Sequence, residues 1–337
     1  MAAHLVMYGS FHSLSLEEFR SVVKRCSAMR AVLPQSQSES LPQVSAETQR
    51  YDEIPFFNCG DLCTVVTLKS AAFMSAPRAF DFHCHSLFSD GSLAPFELLM
   101  LAKERGVELM AITDHDTVNG YSQTLQTQAV ELGLELISGC EISCHWQRRG
   151  IHVVGLNMNL NDPGFRQAMQ AQGQARLSRA ESITAVLQRL GFEVELTQVQ
   201  SLAGNGTIGR PHFARHLVDT GQMSSMSTAF KRVLGSGKPG DIKANWPTLE
   251  TAIAWITRAG GVAVLAHPLK YKMTITKLRS LLADFVQAGG QGIEVVTGHQ
   301  EPSKVRTLMD LALRYDLYAS AGSDFHHPGQ PWAALGQ

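Results

Sequence analysis

The sequence predicts an α/β fold with a largely parallel sheet. From residue 79 onward, short apolar segments that favour strands alternate with longer segments of helical character. Several apolar segments run directly into polar, chemically capable side chains, such as His115 shortly after ELMAIT and Asp324 directly after YASAGS. Barrel enzymes place their chemistry at the C-terminal ends of parallel strands. The pattern therefore favours a barrel with a site at one end.

Seven candidate strands follow one another along the chain. In order, they are AFDFHCH, ELMAIT, LELISG, HVVGLN, GVAVLAH, GIEVVT and YASAGS. The third strand leads into Glu141, the fifth ends at His267, and the seventh leads into Asp324. Such side chains at separate strand ends predict one shared site.

The first strand carries two histidines in the stretch FDFHCHSLFSDGS. Because side chains alternate along a strand, His83 and His85 point to one face, while Cys84 points to the other. Two converging imidazoles can fix two positions around zinc, manganese or iron. An isolated pair of this kind is also typical of surface histidines, so the rest of the chain decides.

Residues 1–75 differ from the rest of the chain. They include the polar tract SQSESLPQVSAETQRYDE, which has no sustained hydrophobic period. We expect this extension to lie outside the fold, either as a poorly ordered tail or as upstream sequence that is not normally translated. Met74 is the expected domain start, since the first strand follows within a few residues.

Between residues 160 and 248 the strand and helix alternation lapses. Ile183, Val186, Leu187 and Leu190 recur at helical spacing, which predicts a helical insertion. Residues 164–243 contain ten Lys or Arg against five Asp or Glu. This excess of positive charge is typical either of a solvated helical face or of a basic cap for a phosphate-bearing substrate.

Composition limits the functional classes. The 337 residues are 44% hydrophobic with a formal net charge of −1, so the chain has no overall attraction to nucleic acid or membranes. It lacks an apolar run of membrane-spanning length and a secretory signal, which predicts a cytoplasmic protein. The six cysteines do not form a CxxC zinc motif, and we expect them to be reduced.

Six motifs in a fixed order carry a resemblance to a known family. HCHSLFSDG, ITDHDT, GCEIS, IHVVGL, LAHP and GSDFH resemble the motifs of the PHP (polymerase and histidinol phosphatase) metallophosphoesterases over residues 78–336. GRPHFARHLV and the helical insertion resemble the bacterial branch of nucleoside 3′,5′-bisphosphate phosphatases and RNase AM-type 5′-to-3′ exoribonucleases. The resemblance implies a distorted (β/α)7 barrel formed by 78–159 and 249–337, with 160–248 as a substrate cap.

The resemblance also implies a cluster of two to three divalent metal ions. One ion would be held by His83, His85, Glu141 and Asp324, and Glu141 would bridge to a second ion completed by His152 and His267. A third would be held by Asp90, His115 and His326, where some relatives have histidine in place of Asp90. Nitrogen and oxygen ligands suit manganese, zinc or iron, and manganese is the expected metal.

The resemblance assigns Glu141, His267 and Asp324 to the catalytic centre. Clustered metal ions lower the pKa of a bound water and neutralise phosphate oxygens, so no nucleophilic side chain is required. The chain has neither a GxSxG elbow nor a GxxxxGK[ST] loop. Asp114 is expected to orient His115, and Asp116 and Thr117 are expected to cap the next helix.

Four residues of the insertion are candidates for binding substrate phosphate: Arg210, His212, Arg215 and Lys238. If Pro211 lies in the first turn of a helix, His212 and Arg215 share a face. Arginine offers a fork that matches phosphate, and Arg210 would grip the substrate's 5′-phosphate. The alternative is that all four are ordinary surface residues.

Three hypotheses for function follow. The first is hydrolysis of nucleoside 3′,5′-bisphosphates and of 5′-phosphorylated RNA or short oligonucleotides in the 5′-to-3′ direction. In this hypothesis these nucleotides and RNAs are the substrates, and neither a membrane nor an obligate protein partner is expected. The second is a small-molecule phosphatase of the histidinol-phosphate type, which has less use for a basic insertion. The third is a non-catalytic, metal-stabilised nucleotide-binding module, which the complete ligand set argues against.

Overall fold

The structure is a computed structural model that describes residues 79–243 and 245–336. The extension predicted for residues 1–75 lies outside the described residues. Among the described residues, none of the helices combines the length and apolar character that a membrane crossing requires. The cytoplasmic location stays a prediction.

Seven strands form one nearly closed barrel, as the sequence predicted. They are β1 (Phe80–Asp81), β2 (Leu109–Ile112), β3 (Glu135–Trp146), β4 (Arg149–Leu156), β5 (Val262–Leu265), β6 (Gly292–Thr297) and β7 (Tyr318–Gly322). Neighbours in sequence are neighbours in the sheet. The amide of Phe82 donates to the carbonyl of Ala321 at 3.1 Å, which brings the end of β7 beside β1.

Most of the sheet is parallel, and β4 is the exception. It runs antiparallel to both β3 and β5, whereas the other neighbouring strands are parallel. A tight hairpin at Gln147, whose φ is +55°, joins β3 to β4. Because β4 is reversed, His152 near its start lies at the same end of the barrel as the C-terminal ends of the parallel strands. The reversal therefore brings a fourth-strand side chain to the predicted site.

The first strand is shorter than predicted. It ends at Asp81, and His83 and His85 lie in the segment beyond it. Cys84 still pairs with Phe325 in an isolated parallel bridge, and both side chains are buried in the core. The predicted alternation is therefore confirmed for Cys84, which packs as a small core residue away from the two histidines.

Helices cover the outside of the barrel and form the insertion. They are α1 (Pro95–Glu104), α2 (Gln123–Glu131), α3 (Pro163–Arg189), α4 (Leu196–Ala203), α5 (Arg210–Asp219), α6 (Met226–Ala229), α7 (Leu249–Arg258), α8 (Ile275–Gln287) and α9 (Pro302–Arg314). A π-helical turn, Phe230–Leu234, continues α6, and a 3-10 turn, Pro268–Tyr271, follows β5. Each helix of the barrel links consecutive strands, as expected for βα units.

The barrel is apolar on both sides of its strands. On β2, Leu109 and Ala111 pack in a cluster with Phe82 and with residues of β4 and β5, while Met110 and Ile112 pack in the cluster that includes α1 and α2. This is the alternation expected of strands that are buried on both faces. Packed apolar side chains on both faces of the strands therefore support the strand ends.

The insertion between β4 and α7 has its own hydrophobic core. Residues of α3, α4, α5 and α6 contribute to it, with Phe213 and Leu217 of α5 fully buried. These helices occupy the range predicted for the insertion. The division into a barrel and a substrate cap stays a proposal.

The N-termini of α5 and α2 test two predictions about helix starts. α5 has Gly209 as N-cap and Pro211 in its first turn, and the Nδ1 of His212 accepts the Gly209 amide at 3.0 Å. The predicted start of this helix is thus confirmed. Asp116 and Thr117 do not cap α2, because Ser122 does so by accepting the Leu125 amide at 3.1 Å.

Candidate metal centre

A single buried carboxylate, Glu141, stands at the centre of the site. Its side chain is 1% exposed and lies midway along β3. Five imidazoles surround it, with nitrogen-to-oxygen distances of 3.2 Å for His83, 3.3 Å for His85, 3.0 Å for His115, 2.8 Å for His152 and 2.8 Å for His267. Six side chains from five segments of the chain therefore converge on one point.

Two further carboxylates extend the cluster. Asp324 lies 3.2 Å from the Nε2 of His85, and Asp90 lies 3.5 Å from the Nε2 of His326. Four groups of potential ligands have donor atoms within 4.8 Å of one another: His85, Asp90, His115 and His326; His83, Glu141 and His267; His83, His85 and Asp324; and His115, Glu141 and His152. The structure thus brings together all nine residues predicted as metal ligands.

Glu294 is a site residue that the sequence analysis did not identify. Its buried carboxylate on β6 lies 2.6 Å from the Nδ1 of His83 and accepts the backbone amide of His267 at 2.5 Å. The contact directs the Nε2 of His83 toward Glu141, as a carboxylate does behind a metal-binding histidine. The signal was an acidic residue inside the apolar strand GIEVVT, because a buried carboxylate is costly without a partner.

Asp114 does not orient His115, contrary to the prediction. Its carboxylate accepts the amide of Ser86 at 2.7 Å, the hydroxyl of Ser86 at 2.5 Å and the hydroxyl of Ser89 at 2.6 Å. Ser89 Oγ in turn lies 3.4 Å from the Nδ1 of His85. Asp114 therefore holds the loop that follows His83 and His85 in place. Its contact with His85 is indirect and runs through the hydroxyl of Ser89.

Asp116 also has a different role from the predicted helix cap. It is fully buried and accepts the Nε of Arg176 at 2.7 Å, the amide of Gln172 at 2.7 Å and the backbone amide of Ser143 at 2.6 Å. Arg176 and Gln172 belong to α3, so their bonds to Asp116 join the insertion to the barrel. A buried aspartate with three donors satisfies the requirement that a buried charge be compensated.

The surroundings set the protonation of the cluster. Burial raises the pKa of the Glu141 carboxyl, but the neighbouring His115, His83 and His152 outweigh burial and hold that pKa well below its usual range. Burial lowers the pKa of His267 to about 4 and lowers the pKa of His326. At neutral pH Glu141 is therefore a carboxylate anion and His267 and His326 are neutral imidazoles, the forms that bind metal ions.

His83 behaves differently from these histidines. Burial lowers its pKa, but the carboxylates of Glu294 and Glu141 outweigh burial and raise that pKa to about 10. Its imidazole must give up a proton before Nε2 can bind a cation. Metal binding at this residue is therefore expected to release a proton.

Unpaired buried atoms indicate that the cluster fits divalent ions. The Nε2 atoms of His83 and His85, the Nδ1 of His115 and the Oδ1 of Asp90 are buried without a hydrogen-bond partner among the described residues. Buried polar atoms are nearly always paired, so a group of unpaired ones requires an explanation such as a bound ion. Nitrogen and carboxylate donors without thiolates suit manganese, iron or zinc.

A cavity of about 1300 Å³ opens from the cluster. Its walls include Asp90, Asp324 and His326 from the barrel and Arg215 and Phe230 from the insertion. Lys270, which the sequence analysis did not single out, also lines it and hydrogen-bonds to the carboxylate of Asp324. The cluster therefore faces a space that is large enough for a nucleotide.

The four predicted phosphate-binding residues divide into two pairs. His212 and Arg215 line the cavity, and Arg215 is exposed without a hydrogen-bond or ion-pair partner among the described residues. Arg210 does not line the cavity and pairs with Asp241 at 2.8 Å. Lys238 is exposed and also lies outside the cavity lining. Arg215 is thus the arginine of this set that lines the cavity.

Among the described residues, four histidines lie outside the predicted set of metal ligands and substrate-binding residues, and two of these four lie at the cavity. His299 and His327 line its wall. His145 contacts the carbonyl of Trp246 at 2.9 Å, and His216 contacts the carbonyl of Glu193 at 3.1 Å. None of the four belongs to the groups of potential metal ligands among the described residues.

The chain is similar to a known protein family and to three individual proteins. Residues 81–231 match the family model described as PHP domain. The chain is 42% identical to a 5′-3′ exoribonuclease of Haemophilus influenzae over 77% of this chain and 94% of the relative. It is 40% identical to a 3′,5′-nucleoside bisphosphate phosphatase of Chromobacterium violaceum over 74% of this chain and 88% of the relative. The chain is also similar to a solved structure assigned as a metal-dependent phosphoesterase of Bifidobacterium adolescentis, with 29% identity and a TM-score of 0.68. The match covers 77% of this chain and 91% of the chain in that structure.

Proposed function

Because this chain belongs to the PHP-domain family and is a metal-dependent phosphoesterase of that type, we propose that it acts on nucleotides and RNA. Its substrates are nucleoside 3′,5′-bisphosphates, from which it removes the 3′-phosphate. It also shortens 5′-phosphorylated RNA and short oligonucleotides in the 5′-to-3′ direction. The names of the relatives support both activities.

The observation that carries this proposal is the shared cavity. One wall holds ligand candidates such as Asp324 and His326, and the other holds Arg215, whose guanidinium has no hydrogen-bond or ion-pair partner in the described part of the chain. A substrate with two phosphates can place one at the cluster and the other against Arg215, which offers a bidentate fork to phosphate. A substrate with one phosphate cannot use both walls in this way.

The nine clustered residues would hold two to three divalent ions, with manganese as the proposed metal. When bound, such ions activate water for attack on phosphorus and neutralise phosphate oxygens. Glu141, His267 and Asp324 act in this proposal by holding the centre in place and not as nucleophiles. Glu294 keeps the Nδ1 of His83 occupied, so that Nε2 stays directed at Glu141.

Residues of the chain also position the substrate. Lys270 lies at the cavity beside Asp324, where its ammonium group can meet the phosphate under attack. Arg215 lies one helical turn beyond His212, whose imidazole is held in place by the Gly209 amide. Burial lowers the pKa of His212, so this imidazole contributes as a neutral group.

A comparison of substrates tests the proposal. The purified full chain is loaded with manganese and assayed against adenosine 3′,5′-bisphosphate, adenosine 3′-monophosphate, histidinol phosphate, and one RNA with either a 5′-phosphate or a 5′-hydroxyl. We expect the highest kcat/KM for the bisphosphate and a preference for the 5′-phosphorylated RNA. Highest kcat/KM for histidinol phosphate would contradict the proposal and favour the small-molecule phosphatase.

A further inference from the structure

The loop between α4 and α5 touches the backbone of two ligand-bearing segments. In residues 204–209, the amide of Thr207 donates to the carbonyl of Phe88 at 2.8 Å. The hydroxyl of the same residue donates to the carbonyl of His115 at 2.9 Å. Phe88 lies two residues before Asp90, so one threonine of the insertion is bonded to the segments that carry two potential metal ligands.

Gly206 allows this loop to approach so closely. A Cβ atom added at Gly206 would lie 2.5 Å from the carbonyl oxygen of Leu87 and 2.8 Å from the carbonyl carbon of Phe88. Both distances are too short for real contacts, and both involve backbone that cannot simply rotate away. The insertion therefore packs directly on the segment that leads to Asp90.

Helix α3 makes a second connection to the same region. Arg176 bonds to Asp116 with its Nε at 2.7 Å, and its Nη1 donates to the carbonyl of Ile208 at 3.2 Å. Asp116 follows His115 directly, and Ile208 follows Thr207. The arginine thus ties the loop of the insertion to the segment of His115 from the other side.

We propose that this part of the insertion, Thr207 with Gly206, is a clamp that positions His115 and the Asp90 segment for metal binding. Thr207 is a positioning residue, because it contacts the backbone that carries the ligands. The inference rests on the proposed metal centre. The new element is a second role for the insertion. Besides contacting the substrate, it controls binding of the ion near Asp90, His115 and His326.

Loss of the Thr207 hydroxyl tests the first contact. Thr207→Val keeps the shape and the backbone amide but removes the donor to His115, whereas Thr207→Ser keeps that donor. Removing a residue that orients a metal ligand typically weakens metal binding about 10- to 100-fold. We expect Thr207→Val to weaken one manganese-binding step by that factor and leave the others unchanged, and Thr207→Ser to bind like the wild type.

Thr184 provides a matched control within the insertion. Its hydroxyl donates to the carbonyl of Ala180 at 3.0 Å, the same kind of bond within α3. Thr184→Val should leave every manganese-binding step unchanged. Isothermal titration calorimetry and the metal content after dialysis at fixed free manganese give these values without an activity assay.

A steric change tests the second contact independently. Gly206→Ala should push the loop away from Leu87 and Phe88 and weaken the same binding step as Thr207→Val. Gly173 in α3 is the control, because a Cβ added there meets no atom within 4 Å. Gly173→Ala should bind manganese like the wild type.

These measurements separate the clamp from the metal centre itself. Wild-type protein that binds no divalent ion would overturn the metal centre and the clamp together. Wild-type manganese binding in both Thr207→Val and Gly206→Ala would overturn the clamp and leave the metal centre intact. Equal weakening in Thr207→Val, Thr207→Ser and Thr184→Val would also overturn it, because the effect would not depend on the hydroxyl at His115.

Discussion

At the scale of single residues, the site depends on one carboxylate that meets five imidazoles. Glu141 is fully buried, so its negative charge acts on the surrounding histidines with little screening by water. Its two oxygens divide the cluster, because Oε1 contacts His152 and His267 while Oε2 contacts His83, His85 and His115. This division is what a ligand that bridges two ions requires.

Glu141→Gln should therefore abolish most of the activity while the barrel remains folded. The substitution preserves shape but removes the charge and one of the two equivalent oxygens. We expect a loss of more than about 100-fold in kcat, since even residues that only orient a metal ligand contribute about 10- to 100-fold. Kinetics and metal content are measured together, and near-normal turnover with full metal content would refute the bridging role.

A second prediction at this scale concerns the two arginines of α5. Arg215→Ala should lower kcat/KM for adenosine 3′,5′-bisphosphate about ten- to a hundredfold, because a hydrogen bond to a charged group contributes about 1.5–3 kcal/mol. Hydrolysis of an aryl phosphate, which lacks the second phosphate, should change little. Arg210→Ala is the comparison, because Arg210 already pairs with Asp241.

These variants decide which arginine grips the 5′-phosphate. A selective loss on the bisphosphate in Arg210→Ala and none in Arg215→Ala would restore the role predicted for Arg210 from the sequence. Equal losses on all substrates in Arg215→Ala would show that this residue supports the structure or the chemistry of the site. In either case the grip by Arg215 would have to be abandoned.

At the scale of elements, α3 is joined to the barrel by a buried ion pair. Arg176 and Asp116 are 7% and 0% exposed, and they lie between the insertion and β3. Arg176→Met should destabilise the protein by about 3–5 kcal/mol, because it leaves the Asp116 charge buried without its partner. The free energy of unfolding in urea measures this effect.

A double variant provides the control for this ion pair. Asp116→Asn combined with Arg176→Met removes both charges and should recover part of the lost stability, since no unpaired charge remains. If Arg176→Met unfolds at the same urea concentration as the wild type, the pair does not stabilise the junction.

The sequence predicted the elements well wherever a local pattern was sufficient. Short apolar strands and the residues at their ends indicated the barrel and its site, and Pro211 marked the start of α5. The reversal of β4 was missed because strand direction depends on the hairpin at Gln147 and not on the apolar pattern itself. His152 was nevertheless included through its motif.

Side-chain partners that are distant in sequence were harder to predict. Asp116 looked like a helix cap because it precedes α2, but Arg176 of the insertion lies 60 residues away in the chain and binds it in space. Glu294 was missed because it is an isolated glutamate in a strand and belongs to no motif with a recognisable residue spacing. Its partner His83 lies 211 positions earlier in the chain.

At the scale of the whole molecule, the described residues contain every element of the barrel and the insertion. A chain that begins at Met74 should therefore fold, bind manganese and retain activity. Thermal unfolding and metal content of this shorter chain, compared with the full chain, measure the contribution of the first 73 residues. Loss of metal binding in the shorter chain would show that those residues belong to the functional domain.

The central claim is that nine side chains from β3, β4 and the segments that follow other strands form one metal centre for phosphoester hydrolysis. Anomalous X-ray scattering from manganese-loaded crystals tests it most directly. We expect two or three anomalous peaks within the cluster, with Glu141 in contact with two of them and one near Asp90, His115 and His326. No peak within coordination distance of Glu141 in crystals that bind manganese elsewhere would contradict the account.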